Sequence, residues 1–158
     1  MFNVGDSISH PMHGAGVITD IVERSVNNQS QAFYLVNMIY GSMTVLIPCS
    51  SCESIGVRNI ISAQYAEDIL ASIPDLNIEV NENWSKRYRD NVDRIKSGDL
   101  TNVACVIKSL VLRDKVKSLS TGERKLLSTA KGILVSELAL ATDSDIKEIE
   151  RRLLSLIV

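Results

Sequence analysis

The sequence predicts an α+β chain, with a small antiparallel, partly closed β-barrel followed by a compact all-helical C-terminal domain. Three observations predict it. Short apolar alternations separated by turn residues run as far as Gly56. From about Asn59 the apolar spacing lengthens to that of amphipathic helices. The charge changes with the period: residues 1 to 75 hold two Lys or Arg against seven Asp or Glu, and residues 76 to 158 hold 15 against 12. At 158 residues, 45% apolar and 23% charged, the chain is one full domain or two small ones, which excludes collagen, a disordered tail and a membrane bundle. No apolar run approaches the roughly 18 to 20 residues of a membrane helix. Met1 to Asp6 lacks the basic and apolar regions of a secretory signal, so a cytoplasmic protein with no membrane partner is expected. Cys49, Cys52 and Cys105 are odd in number and too few to staple such a chain, so its stability should come from buried apolar surface in a reducing compartment.

The elements follow in order. Gly5-Asp6 introduces a strand at Ser7 to His10, and the Pro11 to Gly14 turn leads into Gly16 to Val22. A hairpin loop over Val26 to Ser30 joins it to Ala32 to Ile39. The turn at Tyr40-Gly41-Ser42 starts Met43 to Ile47, stopped by Pro48, and a last short strand is expected over Glu53 to Ile55. Nothing among these is long enough for a helical crossover, which favours an antiparallel barrel over a parallel α/β sheet.

Beyond Asn59, Ile60, Ile61, Tyr65, Ile69 and Leu70 indicate a short helix; Pro74-Asp75 and the polar run Glu79 to Asn83 read as a boundary. The predicted division is therefore 1–58, a short helix and linker over 59–82, and 83–158. Four helices fill the last part. Trp84, Tyr88, Val92 and Ile95 lie at i, i+4, i+8 and i+11, one face of the first, with Lys86, Arg87, Arg89 and Arg94 largely turned away from it. Ser97-Gly98 ends that helix and Asp99 caps the next, which buries Val103, Val106, Ile107, Leu110 and Val111. Ser120-Thr121-Gly122-Glu123 has the spacing of a capping box, in which serine and glutamate side chains reciprocally satisfy two backbone amides. It opens a long helix with an apolar stripe from Leu126 to Ala141. Thr142 and Asp143 signal a final helix carrying Ile146, Ile149, Leu153, Leu154 and Ile157.

Chemistry-bearing motifs are few. No phosphate-cradling loop, dinucleotide fingerprint, H-E-x-x-H or G-x-S-x-G occurs, so an enzyme is not expected, nor a cofactor. His10 and His13 match the spacing of Cys49 and Cys52 and could surround a zinc ion if their turns met. The spacing fits no familiar finger, and packing of Cys49 and Cys52 at a strand end, with the histidines in a turn, explains the four residues without a metal. Residues 84 to 131 concentrate 12 Lys or Arg against five acids, an excess that attracts phosphates or simply solvates a surface. Trp84 stands at a helix start beside Ser85-Lys86-Arg87-Tyr88-Arg89. It has two readings: a core anchor, or an aromatic that wedges beside a nucleobase while cations hold phosphates.

Taken together, these residues resemble the CarD/CdnL family of bacterial RNA polymerase-binding transcription regulators, in its short form without an AT-hook extension. The resemblance rests on Phe2-x-Val4-Gly5-Asp6, His10-Pro11-x-His13-Gly14, Thr44-Val45-x-Ile47-Pro48 and Gly56-Val57-Arg58. It continues through Asn83-Trp84-Ser85-Lys86-Arg87-Tyr88, Ser97-Gly98-Asp99, Leu119-Ser120-Thr121-Gly122-Glu123 and Ile133 to Ala139. It implies a Tudor-like N-terminal domain that binds the RNA polymerase β subunit and a helical domain that contacts promoter DNA, largely without base specificity. By motif, Trp84 is the wedge at the upstream edge of the melted promoter, and Lys86, Arg87 and Arg89 are phosphate contacts. The polymerase-binding set is Arg24 with Thr44, Val45, Leu46, Ile47 and Pro48. Leu46 stands where the family often carries a basic residue, replacing an ion pair by an apolar contact. Cys49 and Cys52 are incidental to the resemblance. The alternative is a protein-interaction adaptor whose basic helices have no direct role on DNA.

Overall fold

Five strands, Ser7–His10 (β1), Gly14–Val26 (β2), Gln29–Met38 (β3), Thr44–Pro48 (β4) and Arg58–Asn59 (β5), form an antiparallel sheet in the order β4-β3-β2-β1-β5 in the computed structural model, which describes residues 1–79 and 81–158. The expected loop over Val26 to Ser30 contracts to Asn27 and Asn28, because Val26 pairs directly with Gln29. Both asparagines have positive φ, 53° and 62°, the conformation of a two-residue turn whose twist matches the flanking strands. A bulge between Ile18 and Asp20 bends β2. The sheet curls enough for Ile47 of β4 and Ile8 of β1 to share one core with Phe2, Ile18, Tyr34, Val36, Met38, Cys52 and Val57. That curl makes the partly closed barrel. The strand expected at Glu53 to Ile55 is instead a one-turn helix, Cys52–Ile55. Gly56, at φ 105°, closes it by donating its N–H to the Glu53 carbonyl, and the chain regains sheet pairing only at β5.

That one-turn helix is α1; the others are Ala63–Ser72 (α2), Trp84–Lys96 (α3), Leu100–Val116 (α4), Thr121–Thr142 (α5) and Ile146–Ser155 (α6), with a 3-10 turn at Ile73–Asp75. Each long helix starts where a side chain accepts an otherwise unpaired amide: Ser62 from Tyr65, Asn83 from Lys86, Asp99 from Thr101, Ser120 from Glu123, and Asp145 from Lys147. Asp143 does not begin α6 as expected. It adopts the left-handed conformation, φ 52°, and terminates α5, leaving Asp145 as the cap. No helix among the described residues is long and apolar enough to cross a membrane.

The segment read as short helix and linker is built into the helical domain. Ala66, Ile69, Leu70 and Ile73 are buried in the same core as Leu110, Leu134, Leu138 and Leu153. Lys108, only 8% exposed, spends all three ammonium protons on the carbonyls of Ile73 (2.8 Å), Pro74 (3.0 Å) and Leu76 (2.9 Å). Val80, within the predicted linker, lies outside the described residues. Lys108→Met is expected to lower folding stability by roughly 2–3 kcal/mol, because charge-assisted bonds to buried carbonyls are lost; urea denaturation reads the change directly.

The two cores meet along α5. Gly14, at φ 81°, approaches so closely that a Cβ there would lie 2.5 Å from Ser136 Oγ and 2.9 Å from the Gly132 carbonyl. This close approach lets the Ala15 N–H donate to Ser136 Oγ at 2.8 Å. Beside it, Arg58 Nη1 and Nη2 donate to Glu137 Oε2 and Oε1 at 2.6 and 3.0 Å, and the Ile61 N–H adds a third bond at 3.0 Å. Glu137 is fully buried and the Arg58 side chain is 40% exposed.

Candidate nucleic-acid interface

At the start of α3, Trp84 is 45% exposed and is no core anchor. Its inner face stacks on Tyr88, one helical turn later, with ring centroids 5.1 Å apart and planes inclined by 15°. Its indole Nε1–H donates to Ser120 Oγ at 3.1 Å. Gly122 lies beside both rings: a Cβ there would make ordinary van der Waals contact, 3.4 Å from Tyr88 and 3.7 Å from Trp84. Tyr88, expected on the buried face, is therefore half-buried, and it backs the tryptophan.

The basic residues divide. Lys86 and Arg89 are exposed, and neither pairs with a carboxylate among the described residues. Arg87 is corrected: it is 6% exposed and does not face phosphates. Its Nε and Nη2 donate to Glu123 at 2.9 and 3.3 Å, and its Nη1 donates to the Asn81 carbonyl at 2.8 Å. Arg87, Asn91 and Ile95 form the buried stripe of α3, one position round from the stripe predicted through Trp84. Glu123, 36 residues away, draws the guanidinium inward. The pair also diverts half of the expected capping box. Glu123 spends its oxygens on Arg87 and on the Ser120 hydroxyl, which donates at 3.3 Å, so Ser120 Oγ caps α5 but the carboxylate does not reach back to the Ser120 amide. Burial opposes ionisation of Glu123, but Arg87 and Ser120 outweigh it and hold the carboxyl below its ordinary range. With Arg87 and Lys108 consumed internally, the basic excess over 84 to 131 available to a ligand is smaller than its formal count.

Sequence reasoning missed Ser120 as a partner of the tryptophan. Its signal, a helix cap, explained it fully on local grounds. On the same turn of α5, Lys125 is exposed, while Arg124 bonds the Leu119 carbonyl and Ser118 Oγ.

Two family models match almost the whole chain: the CarD-like/TRCF RID domain over residues 2–61 and the CarD C-terminal domain over residues 68–154. The chain belongs to the CarD/CdnL family. A relative from Bacillus subtilis (strain 168), named "Putative transcription factor YdeB", is 33% identical over 150 residues, spanning 95% of this chain and 98% of its own length. The second match begins inside α2, the helix that packs into the helical core.

In this CarD/CdnL chain β4 is an edge strand, paired only with β3. Alternation exposes Thr44 and Leu46 and turns Val45 and Ile47 inward. Leu46 is 42% exposed, whereas Ile47 is 2% exposed and belongs to the barrel core, so its side chain is corrected from partner contact to packing. Pro48 ends the strand opposite Phe33. Arg24 is exposed but is not on this edge. It lies on β2, opposite Gln31 of β3, so it is two strands over from β4 and beyond the end of that strand, roughly 12 Å from Pro48 at ordinary strand spacing and rise.

The metal-like residues have local roles. His10 Nδ1 accepts the N–H groups of Met12 (3.0 Å) and His13 (3.3 Å), fixing the β1–β2 turn; burial and then the neighbouring His13 lower its pKa. Burial raises the Cys49 thiol pKa, which disfavours the reactive thiolate, and Cys52 sits in the barrel core.

Proposed function

We propose that this protein is a transcription regulator that binds the RNA polymerase β subunit through β4 and stabilises the promoter open complex. Trp84 wedges at the upstream edge of the bubble, while Lys86 and Arg89 hold the DNA backbone. Membership in the CarD/CdnL family supports the regulator, and the match to a CarD-like/TRCF RID domain supports the polymerase partner. The observation that carries the DNA role is the exposed indole: a sole tryptophan, held by one face and one edge on a folded helix, leaves its outer face for a base. The exposed backbone edge of β4 can accept a partner strand, and Leu46 supplies apolar contact in place of an ion pair. No bond is made or broken. Binding energy favours the melted state over the closed one, and tethering to polymerase raises the local concentration of a weakly basic DNA-contacting surface.

The test is the open-complex lifetime on a promoter with an unstable bubble, measured with purified cognate polymerase alone, with wild type and with Trp84→Ala. Wild type is expected to lengthen the lifetime and the variant to forfeit roughly tenfold of that extension, the worth of one base–aromatic stack. Equal extension by both proteins would remove the wedge. No extension by wild type that is bound to polymerase would leave the adaptor reading.

A further inference from the structure

Ser120 uses its entire hydrogen-bonding capacity around the indole. A serine hydroxyl offers one proton and two lone pairs. Here the lone pairs accept the Glu123 N–H at 3.2 Å and the Trp84 Nε1–H at 3.1 Å, and the proton goes to Glu123 Oε1 at 3.3 Å. Donation to the carboxylate fixes the hydroxyl's rotation, so the lone pairs are held toward the two N–H donors. The carboxylate is in turn fixed by the buried Arg87 guanidinium, itself anchored to the Asn81 carbonyl. Four side chains thus form a continuous chain of bonds from a buried ion pair to an exposed ring, and Tyr88 closes the ring's inner face.

We propose that Ser120 is a positioning residue for Trp84, and that the Arg87–Glu123–Ser120 network holds the indole in its wedge orientation before DNA arrives. The inference rests on the reading of Trp84 as the DNA wedge. Without the network, a half-exposed indole at a helix start samples several rotamers, and ordering it on DNA opposes binding. With its edge on Ser120 and its inner face on Tyr88, the ring meets the bubble already oriented.

The chain's single tryptophan makes this testable without DNA, since all indole fluorescence comes from Trp84. Ser120→Gly removes the hydroxyl while retaining a tolerated helix cap, and Ser120→Asn keeps a strong cap but displaces the acceptor outward. Ser120→Thr restores a hydroxyl in both roles. Acrylamide quenching and anisotropy of each full-length, folded variant are compared with its effect on open-complex lifetime. Ser120→Gly and Ser120→Asn are expected to be quenched more readily, to show lower anisotropy, and to shorten the lifetime about threefold, the effect of losing one neutral hydrogen bond. Ser120→Thr is expected to recover both readouts. Unchanged quenching and anisotropy in both hydroxyl-deficient variants would overturn the proposal, as would a loosened indole with an unaltered lifetime. If Trp84→Ala itself leaves the lifetime unchanged, the wedge reading fails, and the fluorescence of the Ser120 variants still reports whether the hydroxyl holds the ring.

Discussion

Arg87→Ala is expected to lower folding stability by about 3–5 kcal/mol, because it strands the Glu123 carboxylate in the interior without its countercharge. Glu123 is 2% exposed, so water cannot replace the guanidinium without opening α3 from α5. Lysine should not rescue the position: one ammonium cannot reproduce the two bonds to the carboxylate and a third to the Asn81 carbonyl from a planar fork. Arg89→Ala, two residues along and exposed, should change stability by less than about 0.5 kcal/mol and act only on DNA-linked readouts. Guanidinium denaturation of the two variants separates a buried structural arginine from a phosphate contact; equal midpoints would refute the pairing. The same pair sets an acid limit. The Glu123 carboxyl titrates below its ordinary value of 4.5 when folded, so its contribution is complete above that pH and is lost as pH falls through the lower folded value. Wild type should lose stability across that window, and Glu123→Gln should lack this component.

Arg58→Ala is expected to cost about 3 kcal/mol, the lower end of the range for a broken buried pair, because the Arg58 side chain is itself partly hydrated. The cost is asymmetric. Removing Arg58 leaves a fully buried Glu137 with only the Ile61 amide, whereas Glu137→Gln leaves an arginine that can turn to water, and should be milder. Arg58 lies on the barrel side of the joint and Glu137 on α5, so the lost energy is interdomain. Trp84 fluorescence reports only the helical part and far-ultraviolet dichroism reports both. The two unfolding curves should therefore coincide in wild type and separate in Arg58→Ala. Coincident curves at the wild-type midpoint would rule out the clamp.

What could be read from the sequence depended on whether a residue's partner was local. Helix starts at Asp99 and Ser120 were legible because a cap and its amide lie two or three residues apart. The β1 to β4 meander was legible because alternation and turn chemistry are also local. Arg87 and Arg89 look alike in the sequence, and only Glu123, on another helix, distinguishes them. Pro74 resembled a boundary because its anchor, Lys108, comes from 34 residues downstream. β5, two residues long, carries too little pattern to compete with the apolar Ile55, which draws the expected strand to Glu53 to Ile55. The tryptophan's neighbourhood was recognisable as aromatic and basic, but its orientation depends on Ser120, which local capping alone had already accounted for.

The joint between barrel and helices has a geometric consequence. Gly14 against the backbone of α5, Ala15 on Ser136 and Arg58 on Glu137 fasten the barrel to α5 at three points. If β4 docks on polymerase as proposed, the indole sits at one fixed reach from that dock, like the tip of a calliper. Such a device measures as well as grips. It would engage a bubble whose upstream edge falls at the right distance and miss one displaced by a few base pairs. Promoters would then be sorted by the length of DNA between two points, with no base read by either.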